Sequence, residues 1–411
     1  MSKERILIIA VKKPAQHTER FQSSLDELIS LSSTAGGNVE AVITQNRMTI
    51  HPATYIGAGK VQEIKEAIDD KEIDLVISND ELSSGQLRNL NKELGVSIID
   101  RSQLILDIFA QRAQTKEGKL QVELAQLEYL LPRLRGQGLE LSRLGAGIGT
   151  RGPGETKLET DQRHIRRRIF DIKRRLQLIV KQREQYRKRR RDNDVFQIAI
   201  VGYTNAGKST IFNKLTDSDS LEEDKLFATL DPLTRKVQLP SGFEALITDT
   251  VGFLQDLPTS LIAAFRSTLE EVAEADFLIH VVDGSHIDQE QHQETVVKLL
   301  EELDAHHIPM LYVYNKKDLL NEQFFPSNHP FLLISANEEE DIQLTLKKME
   351  DILMDEWNPF TVELESNQGK VLNQIEREAI VTKNYFDEVN NSYVVKGYIR
   401  ENHTLNKIIK E

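Results

Sequence analysis

The segment from Gly202 to Ser209 constrains this chain most, because it has the pattern G-x-x-x-x-G-K-S between a strand pattern and a helical pattern. In that context the glycines let backbone N–H groups surround phosphate oxygens. The lysine contacts the β- and γ-phosphates, the serine hydroxyl ligates Mg²⁺, and the following helix adds its positive dipole end. The predicted phosphate site consists of Gly202, Tyr203, Thr204, Asn205, Ala206, Gly207, Lys208, Ser209 and Thr210.

A second motif, Asp249-Thr250-Val251-Gly252, follows the phosphate loop by about forty residues and closes an apolar strand pattern. An aspartate at the end of a strand can hold Mg²⁺ through water, and the Gly252 N–H can then contact the γ-phosphate. D-x-x-G is common and weak by itself, but this spacing makes it informative. We therefore predict Asp249 as a Mg²⁺ ligand and Gly252 as a catalytic backbone donor beside Lys208.

The segment between these two motifs should supply a threonine to Mg²⁺. Thr229 is the favoured candidate and Thr234 is the alternative, although a threonine in such a segment is commonly plain polar surface. The predicted Mg²⁺ ligands are Ser209, Thr229 and Asp249, and Thr229 is also predicted to take part in catalysis. The nucleotide contacts predicted here are Phe227, Ala228, Thr229, Leu230 and Asp231.

A third motif, Asn315-Lys316-Lys317-Asp318, follows another apolar strand pattern and concerns the base. The Asp318 carboxylate can accept two hydrogen bonds from guanine N1–H and the exocyclic amine. Adenine lacks this pair of donors and would leave the carboxylate unpaired, which is costly. The motif therefore favours GTP over ATP. Contacts to the base are predicted for Asn315, Lys316, Asp318, Ser335, Ala336 and Asn337.

The position after Gly252 is unusual for a nucleotide hydrolase. Many GTPases carry a glutamine there that orients the attacking water, whereas this chain has Phe253 followed by Leu254. Neither side chain can orient water, so slow intrinsic hydrolysis is expected until a partner orders the site. Asn205 resembles the asparagine that coordinates potassium in potassium-activated GTPases, so K⁺ in the loop is a second candidate cofactor. An asparagine that only satisfies the backbone of a tight loop is the alternative.

The remaining patterns divide the chain into four predicted domains. Residues 1–110 alternate strand and helix patterns, which predicts a small, mostly parallel α/β sheet. Residues 111–194 form a predicted long antiparallel helical hairpin, because Leu and Ile recur at spacings of three and four. Residues 195–356 form the P-loop GTPase domain, and residues 357–411 form a small C-terminal α+β domain. The predicted fold class is therefore α/β, with these additions.

The hairpin region is also unusual in glycine content and charge. Segment 136–154 holds seven of the 21 glycines, and we interpret it as a tip that takes its shape against a partner; a plain flexible connector is the alternative. Residues 163–191 carry fourteen Lys or Arg and two acids, although the whole chain has a net charge of −13. Such asymmetry indicates local contact with a polyanion, and a solvated coiled-coil face is the alternative.

Composition excludes several classes of protein. The chain has no cysteine, which excludes disulfides and thiolate metal sites, and it has no apolar run of about 18 residues that could span a membrane. The run from residue 5 to 11, which is apolar apart from Arg5, is too short for a secretory signal and fits a buried strand. These features indicate a cytoplasmic protein, which we expect to be monomeric when unbound.

Finer details resemble one GTPase family, HflX. The resemblance is carried by the sequences of segments 202–209, 227–232 and 249–253, and by the long string from Leu144 to Asp161. The order of an N-terminal domain, a helical hairpin, a GTPase domain and a small C-terminal domain is also similar. The resemblance therefore covers nearly the whole chain.

The resemblance implies a function on the ribosome. Members of that family bind the large ribosomal subunit and split stalled or hibernating ribosomes, so region 111–194 would contact ribosomal RNA. A GTP-gated assembly or anti-association factor without splitting activity is the first alternative. An ATP-powered RNA remodeller is the second, because Gly57-Ala58-Gly59-Lys60 is faintly similar to a phosphate loop.

Overall fold

The computed structural model describes residues 3–134, 157–192, 194–216, 226–227, 229, 231–254, 271–320 and 324–409. The predicted glycine-rich tip, together with Ala228 and Leu230, lies outside the described residues. The described residues form two compact units. The first holds those up to Lys181 and those between 226 and 231, and the second holds the others.

The first unit contains a sheet of four parallel strands in the order β2-β1-β3-β4. The strands are β1 Arg5–Lys12, β2 Asn38–Asn46, β3 Leu75–Ser78 and β4 Ser97–Asp100. The helices among them are α1 Thr18–Thr34, α2 Ala58–Lys71 and α3 Ser84–Leu94. Strand β1 is buried from Ile6 to Val11, as expected for an apolar central strand in a parallel sheet. The parallel α/β sheet predicted for this region is confirmed.

Three helices follow this sheet: α4 Arg101–Arg112, α5 Lys116–Leu134 and α6 Lys157–Asp192. Two ion pairs connect α5 with α6, Glu123 to Arg168 at 2.6 Å and Glu128 to Lys173 at 2.8 Å. The residue numbers rise on both helices from the first pair to the second, whereas antiparallel neighbours would show one rising and the other falling. These two contacts therefore do not support the antiparallel hairpin, which stays a prediction. Helix α6 includes the charged residues 188–192 at its end.

The second unit contains a six-stranded sheet in the order β10-β9-β8-β5-β7-β6. The strands are β5 Gln197–Gly202, β6 Leu233–Gln238, β7 Glu244–Asp249, β8 Phe277–Asp283, β9 Met310–Asn315 and β10 Phe331–Leu333. The helices are α7 Lys208–Thr216, α8 Gln289–Glu302, a 3-10 turn Lys317–Leu319 and α9 Glu339–Glu356. Only β6 pairs antiparallel among these described strands. The three motifs lie at the carboxyl ends of β5, β7 and β9, which are all interior strands of this sheet.

The same unit ends in an antiparallel sheet of three strands in the order β11-β13-β12. It comprises β11 Asn358–Glu365, α10 Gly369–Glu378, β12 Ile380–Asp387, β13 Ser392–Ile399 and α11 Asn406–Ile409. Trp357, where the sequence indicates a boundary, packs edge-on against Phe196 and Phe243 with ring centroids 5.6 and 5.2 Å away. Trp357 therefore belongs to the core of the six-stranded sheet, and the predicted α+β character of the C-terminal region is confirmed.

Strand β6 has a weak sequence pattern. Its sequence, Leu-Thr-Arg-Lys-Val-Gln, alternates only weakly between apolar and polar residues, because β6 is an edge strand with one buried side chain, Val237. The strand matters for the site because it fixes the position of Thr234.

Candidate nucleotide site

The phosphate loop connects the end of β5 to the start of α7, as its motif requires. Gly202 has φ 153°, and a Cβ there would lie 2.2 Å from the carbonyl oxygen of Val281. Gly207 has φ 96°, and a Cβ there would lie 2.1 Å from the side-chain nitrogen of Asn315. Both positions combine a left-handed or extended positive φ with a close neighbour, so glycine is required at each.

Lys208 begins α7 and is 6% exposed. Its Nζ donates a hydrogen bond to the Tyr203 carbonyl at 2.7 Å, which holds the ammonium group over the loop. Burial lowers the pKa of Lys208 to about 8, and the negative charge of Asp249 opposes that shift. A triphosphate bound in the loop would add negative charge beside this ammonium group and favour its charged form.

Ser209 and Asp249 lie next to each other, although they are forty positions apart. The Ser209 Oγ donates to Asp249 Oδ2 at 2.7 Å, and Asp249 is fully buried at the end of β7. A hydroxyl and a carboxylate are the oxygen donors that Mg²⁺ prefers, so the two residues fit the predicted ion. Among the described residues no group of three or more His, Cys, Asp or Glu could hold a metal.

The residues after Asp249 pair with the phosphate loop through their backbones. Thr204 N–H donates to the Phe253 carbonyl at 2.9 Å, and Phe253 N–H donates to the Gly202 carbonyl at 3.2 Å. A Cβ at Gly252 would lie 2.7 Å from Thr204 Cγ2 and 2.9 Å from Lys208 Nζ, so any side chain there would displace the loop. Phe253 is 4% exposed, which leaves its ring in the interior of the unit rather than facing solvent.

Asn315 joins the phosphate loop to the third motif. Its side-chain amide donates to the Ala206 carbonyl at 2.9 Å, and its Oδ1 accepts from Ala336 N–H at 2.9 Å. Asn315 therefore connects three separate loops, including the one that holds Ser335 and Asn337. The side chain of Asp318 is exposed and makes no hydrogen bond or ion pair with any residue that the structure describes. Its carboxylate is available for the predicted contact with guanine.

Two carboxylates that the sequence analysis did not single out hold this region in place. Asp283, at the end of β8, pairs with Lys316 at 2.7 Å. Asp341, in the first turn of α9, accepts from Ser335 N–H at 2.7 Å and pairs with Lys317 at 2.7 Å. The available signal for Asp283 was its place at the end of a strand, like Asp249.

The two threonine candidates occupy different settings. Thr234 lies in β6 opposite Thr248, and their hydroxyl oxygens are 2.9 Å apart. Thr229 lies in the segment of the first unit between residues 226 and 231. Because Thr234 is tied into a strand, Thr229 remains the better candidate for a ligand that moves into place, and its role stays a prediction.

Comparison with known proteins identifies the family. Family models match residues 22–110 (GTP-binding GTPase N-terminal), 112–190 (GTP-binding GTPase Middle Region) and 197–316 (50S ribosome-binding GTPase). GTPase HflX of Alkalihalophilus pseudofirmus is 54% identical over 394 residues, which cover 96% of this chain and 93% of that relative. GTPase HflX of Escherichia coli is 42% identical over 377 residues, which cover 90% of this chain and 88% of that relative.

The chain belongs to the HflX family of GTPases. The resemblance seen in the sequence is confirmed, and so is GTPase activity as its enzyme class. A solved GTP-binding protein of Sulfolobus solfataricus in complex with GDP is 24% identical, with a TM-score of 0.47 over 85% of this chain and 98% of that one. Among the described residues, no helix of this HflX family member is long and apolar enough to cross a membrane.

A histidine ring packs against the phosphate loop of this HflX-family GTPase. The ring of His292, in α8, stacks on the Tyr203 ring with centroids 3.7 Å apart and an interplanar angle of 6°. Burial, and to a smaller extent the neighbouring His286, lower the pKa of His292 to about 4. Scattered histidines carry no sequence signal, so this contact could be found only in the structure.

The lowered pKa of His292 predicts that the folded protein loses stability in acid. Because its folded pKa lies below its ordinary value of about 6.5, its stabilising effect is full above pH 6.5 and is lost as the pH falls toward 4. We expect a cost of about 2 kcal/mol at pH 5 from this residue. His292→Phe keeps a flat ring against Tyr203 and cannot be protonated, so its unfolding free energy should fall less between pH 7 and pH 5. Equal losses in the two proteins, measured by urea unfolding, would contradict this.

Asp231, predicted to contact nucleotide, has its carboxylate engaged within the first unit. It accepts hydrogen bonds from the backbone N–H groups of Gln114 and Thr115 at 2.9 and 2.8 Å and from the Thr115 hydroxyl, just before α5 begins. A Cβ at Gly118 would lie 2.4 Å from Asp231 Oδ1. Phe227 packs edge-on against Phe109 at 4.5 Å in the same unit. The segment is therefore anchored at both ends, on either side of Thr229.

Replacing Asp231 with alanine should expose two backbone donors at the start of α5. Loss of a capping carboxylate costs about 0.5–2 kcal/mol, so amide hydrogen exchange at Gln114 and Thr115 should become roughly tenfold faster. Gly118→Ala should act in the same direction by displacing the carboxylate. Asp69→Ala, an exposed aspartate on α2, is the matched control and should leave both amides protected. Unchanged exchange in Asp231→Ala would show that water replaces the carboxylate without loss.

Proposed function

We propose that this HflX-family GTPase binds the large ribosomal subunit through region 111–194 and, when loaded with GTP and Mg²⁺, dissociates stalled or hibernating ribosomes. The observation that carries the proposal is the basic surface of α6. Segment 163–191 has a net charge of +12 on a chain that is otherwise acidic, and most of its described Lys and Arg side chains are exposed. The positive charge of this segment favours a polyanionic partner, and the HflX family membership favours ribosomal RNA among polyanions.

The family models add support of a general kind. The model matched by residues 197–316 is described as a 50S ribosome-binding GTPase. In the proposed cycle, GTP and Mg²⁺ order Thr229 and Gly252, and loss of the γ-phosphate releases them, as in other switch GTPases. The site geometry suits such a cycle, because Gly252 lies against Lys208 and the phosphate loop.

Sedimentation of intact ribosomes in a sucrose gradient tests the proposal. Ribosomes incubated with the protein and a non-hydrolysable GTP analogue should separate into subunits, whereas GDP should leave them intact. Binding to free large subunits without any splitting would favour the alternative of an assembly or anti-association factor. Splitting that depends on ATP would favour an RNA remodeller instead. Lys60, in the segment similar to a phosphate loop, already pairs with Glu63 at 2.8 Å.

We also propose that K⁺ assists hydrolysis beside Asn205. Asn205 has a left-handed φ of 60°, and its exposed side chain makes no hydrogen bond with any residue in the described part of the chain. Its amide oxygen is therefore available to a cation at the phosphates, where a positive charge would stabilise the transition state. Phe253 cannot orient the attacking water, so a cation beside Asn205 would supply catalytic help that the residue after Gly252 does not.

Turnover in matched potassium and sodium buffers checks this role. We expect hydrolysis to be at least tenfold faster in K⁺, in line with the magnitude of a lost electrostatic stabiliser. Asn205→Ala should remove the difference between the two buffers while GTP still binds. Equal hydrolysis rates of the unmodified protein in the two buffers would refute the proposed role of K⁺.

A further inference from the structure

One face of α6 combines exposed cations with exposed apolar side chains. It consists of Arg167, Phe170, Arg174, Leu178 and Lys181, which lie within about 80° of each other around the helix at 3.6 residues per turn. Phe170 is 68% exposed and Leu178 is 60% exposed. We call these five residues the outer face of α6.

The cations of the outer face have no charge partners among the residues that the structure describes. Arg167, Arg174 and Lys181 are exposed and form no ion pair or hydrogen bond with the residues that the structure describes. Arg168 and Lys173, on the same helix, instead pair with Glu123 and Glu128 of α5. Within the described part of the chain, the helix therefore pairs cations on the side toward α5 and none on the outer face.

A solvated helix surface does not account for the aromatic side chain. Single exposed apolar residues are common on protein surfaces, but Phe170 lies one turn from Arg167 and one turn from Arg174. Arg167 and Arg174 are about 10 Å apart along the axis, with Phe170 between them. Unpaired nucleotides are recognised by this combination, in which the base stacks on an aromatic ring and arginines contact the phosphates on either side.

We infer that the outer face of α6 binds RNA with an unpaired base stacked on Phe170, while Arg167 and Arg174 contact the flanking phosphates. The inference rests on the proposed binding of ribosomal RNA and specifies a single-stranded or bulged nucleotide rather than a regular helix. An acidic protein surface would satisfy the arginines, but its carboxylates would not stack on Phe170. An anionic membrane would require a wider apolar surface than Phe170 and Leu178 provide.

The test uses the full chain and purified large ribosomal subunits with a non-hydrolysable GTP analogue. Phe170→Ala should weaken binding by roughly 5- to 150-fold, the range measured for loss of one stacked base, and Phe170→Trp should retain it. Phe386→Ala is the matched control, because Phe386 is also an exposed phenylalanine, at 41%, on β12. It should bind like the unmodified protein. Thermal unfolding midpoints would confirm that each variant folds.

Salt dependence separates stacking from charge. Phe170→Ala should leave the slope of log K against log[salt] unchanged, whereas Arg167→Gln with Arg174→Gln should lower its magnitude by about 0.7 for each lost phosphate contact. A photo-crosslinking amino acid at position 170 should react with ribosomal RNA; crosslinking to a ribosomal protein would overturn the inference.

The outcomes distinguish this inference from the proposed function. If Phe170→Ala binds normally while the double arginine variant is weakened, stacking is refuted and binding through charge survives. If the unmodified protein does not bind large subunits at all, both the proposed function and this inference fail.

Discussion

Replacing Asp318 with asparagine is expected to weaken GTP binding by roughly 10²- to 10⁴-fold. The carboxylate of Asp318 would accept two hydrogen bonds from guanine, and each charge-assisted hydrogen bond contributes about 1.5–3 kcal/mol. The Asp318 side chain is exposed and has no partner among the described residues. Its replacement therefore disturbs no contact within the described part of the protein. The loss should therefore appear in nucleotide affinity and not in folding stability.

The same variant should accept a different base. Xanthine carries a carbonyl oxygen where guanine carries its exocyclic amine, so an asparagine amide at position 318 can donate to it. We expect Asp318→Asn to prefer xanthosine triphosphate to GTP, measured by titration of both nucleotides. Asp355→Asn, an exposed aspartate on α9, is the matched control and should keep its preference for GTP. Unchanged GTP affinity in Asp318→Asn would place the base elsewhere.

Replacing Lys208 with alanine is expected to reduce GTP turnover by about 10²- to 10³-fold, the usual effect of removing one preorganised electrostatic stabiliser of a transition state. Lys208 is held by the Tyr203 carbonyl and lies against Gly252, and the lysine of this motif contacts the β- and γ-phosphates. An ammonium group that is already fixed beside the phosphate loop is a preorganised stabiliser, which is why the effect should be large.

Lys214→Ala provides the control for this prediction. Lys214 lies on the same helix, α7, but its side chain is exposed, so its loss should leave single-turnover rates unchanged. Single-turnover measurement with saturating protein separates slower hydrolysis from weaker binding. A Lys208→Ala protein with normal single-turnover rates would remove Lys208 from the catalytic set.

Much of the candidate site could be predicted from the sequence because its motifs are contiguous. Gly202 and Gly207 need positive φ, and the donors that surround a phosphate are consecutive backbone N–H groups between a strand and a helix. The second and third motifs, with Asp249 and Asn315, could be placed because each follows a strand pattern, and parallel strands of one sheet end at the same edge. The fold class was predictable for the same reason, since alternating strand and helix patterns indicate a parallel sheet.

Elements at the edges were harder to predict. Strand β6 has one buried side chain and therefore little alternation, and α6 extends through a run of charged residues that resembles a linker. Polar sequence alone cannot distinguish a solvated helix from a connector. The tertiary setting decides between them.

The sequence by itself determined that this chain is a GTPase with guanine preference, since the phosphate loop and Asp318 carry that chemistry in short local segments. Only the tertiary structure revealed which residues support them. Asn315 bonds to Ala206 across 109 positions, and His292 stacks on Tyr203. Such contacts depend on the order of strands in the sheet and on side-chain packing. No local pattern encodes either one, because the partners are brought together only when the chain folds.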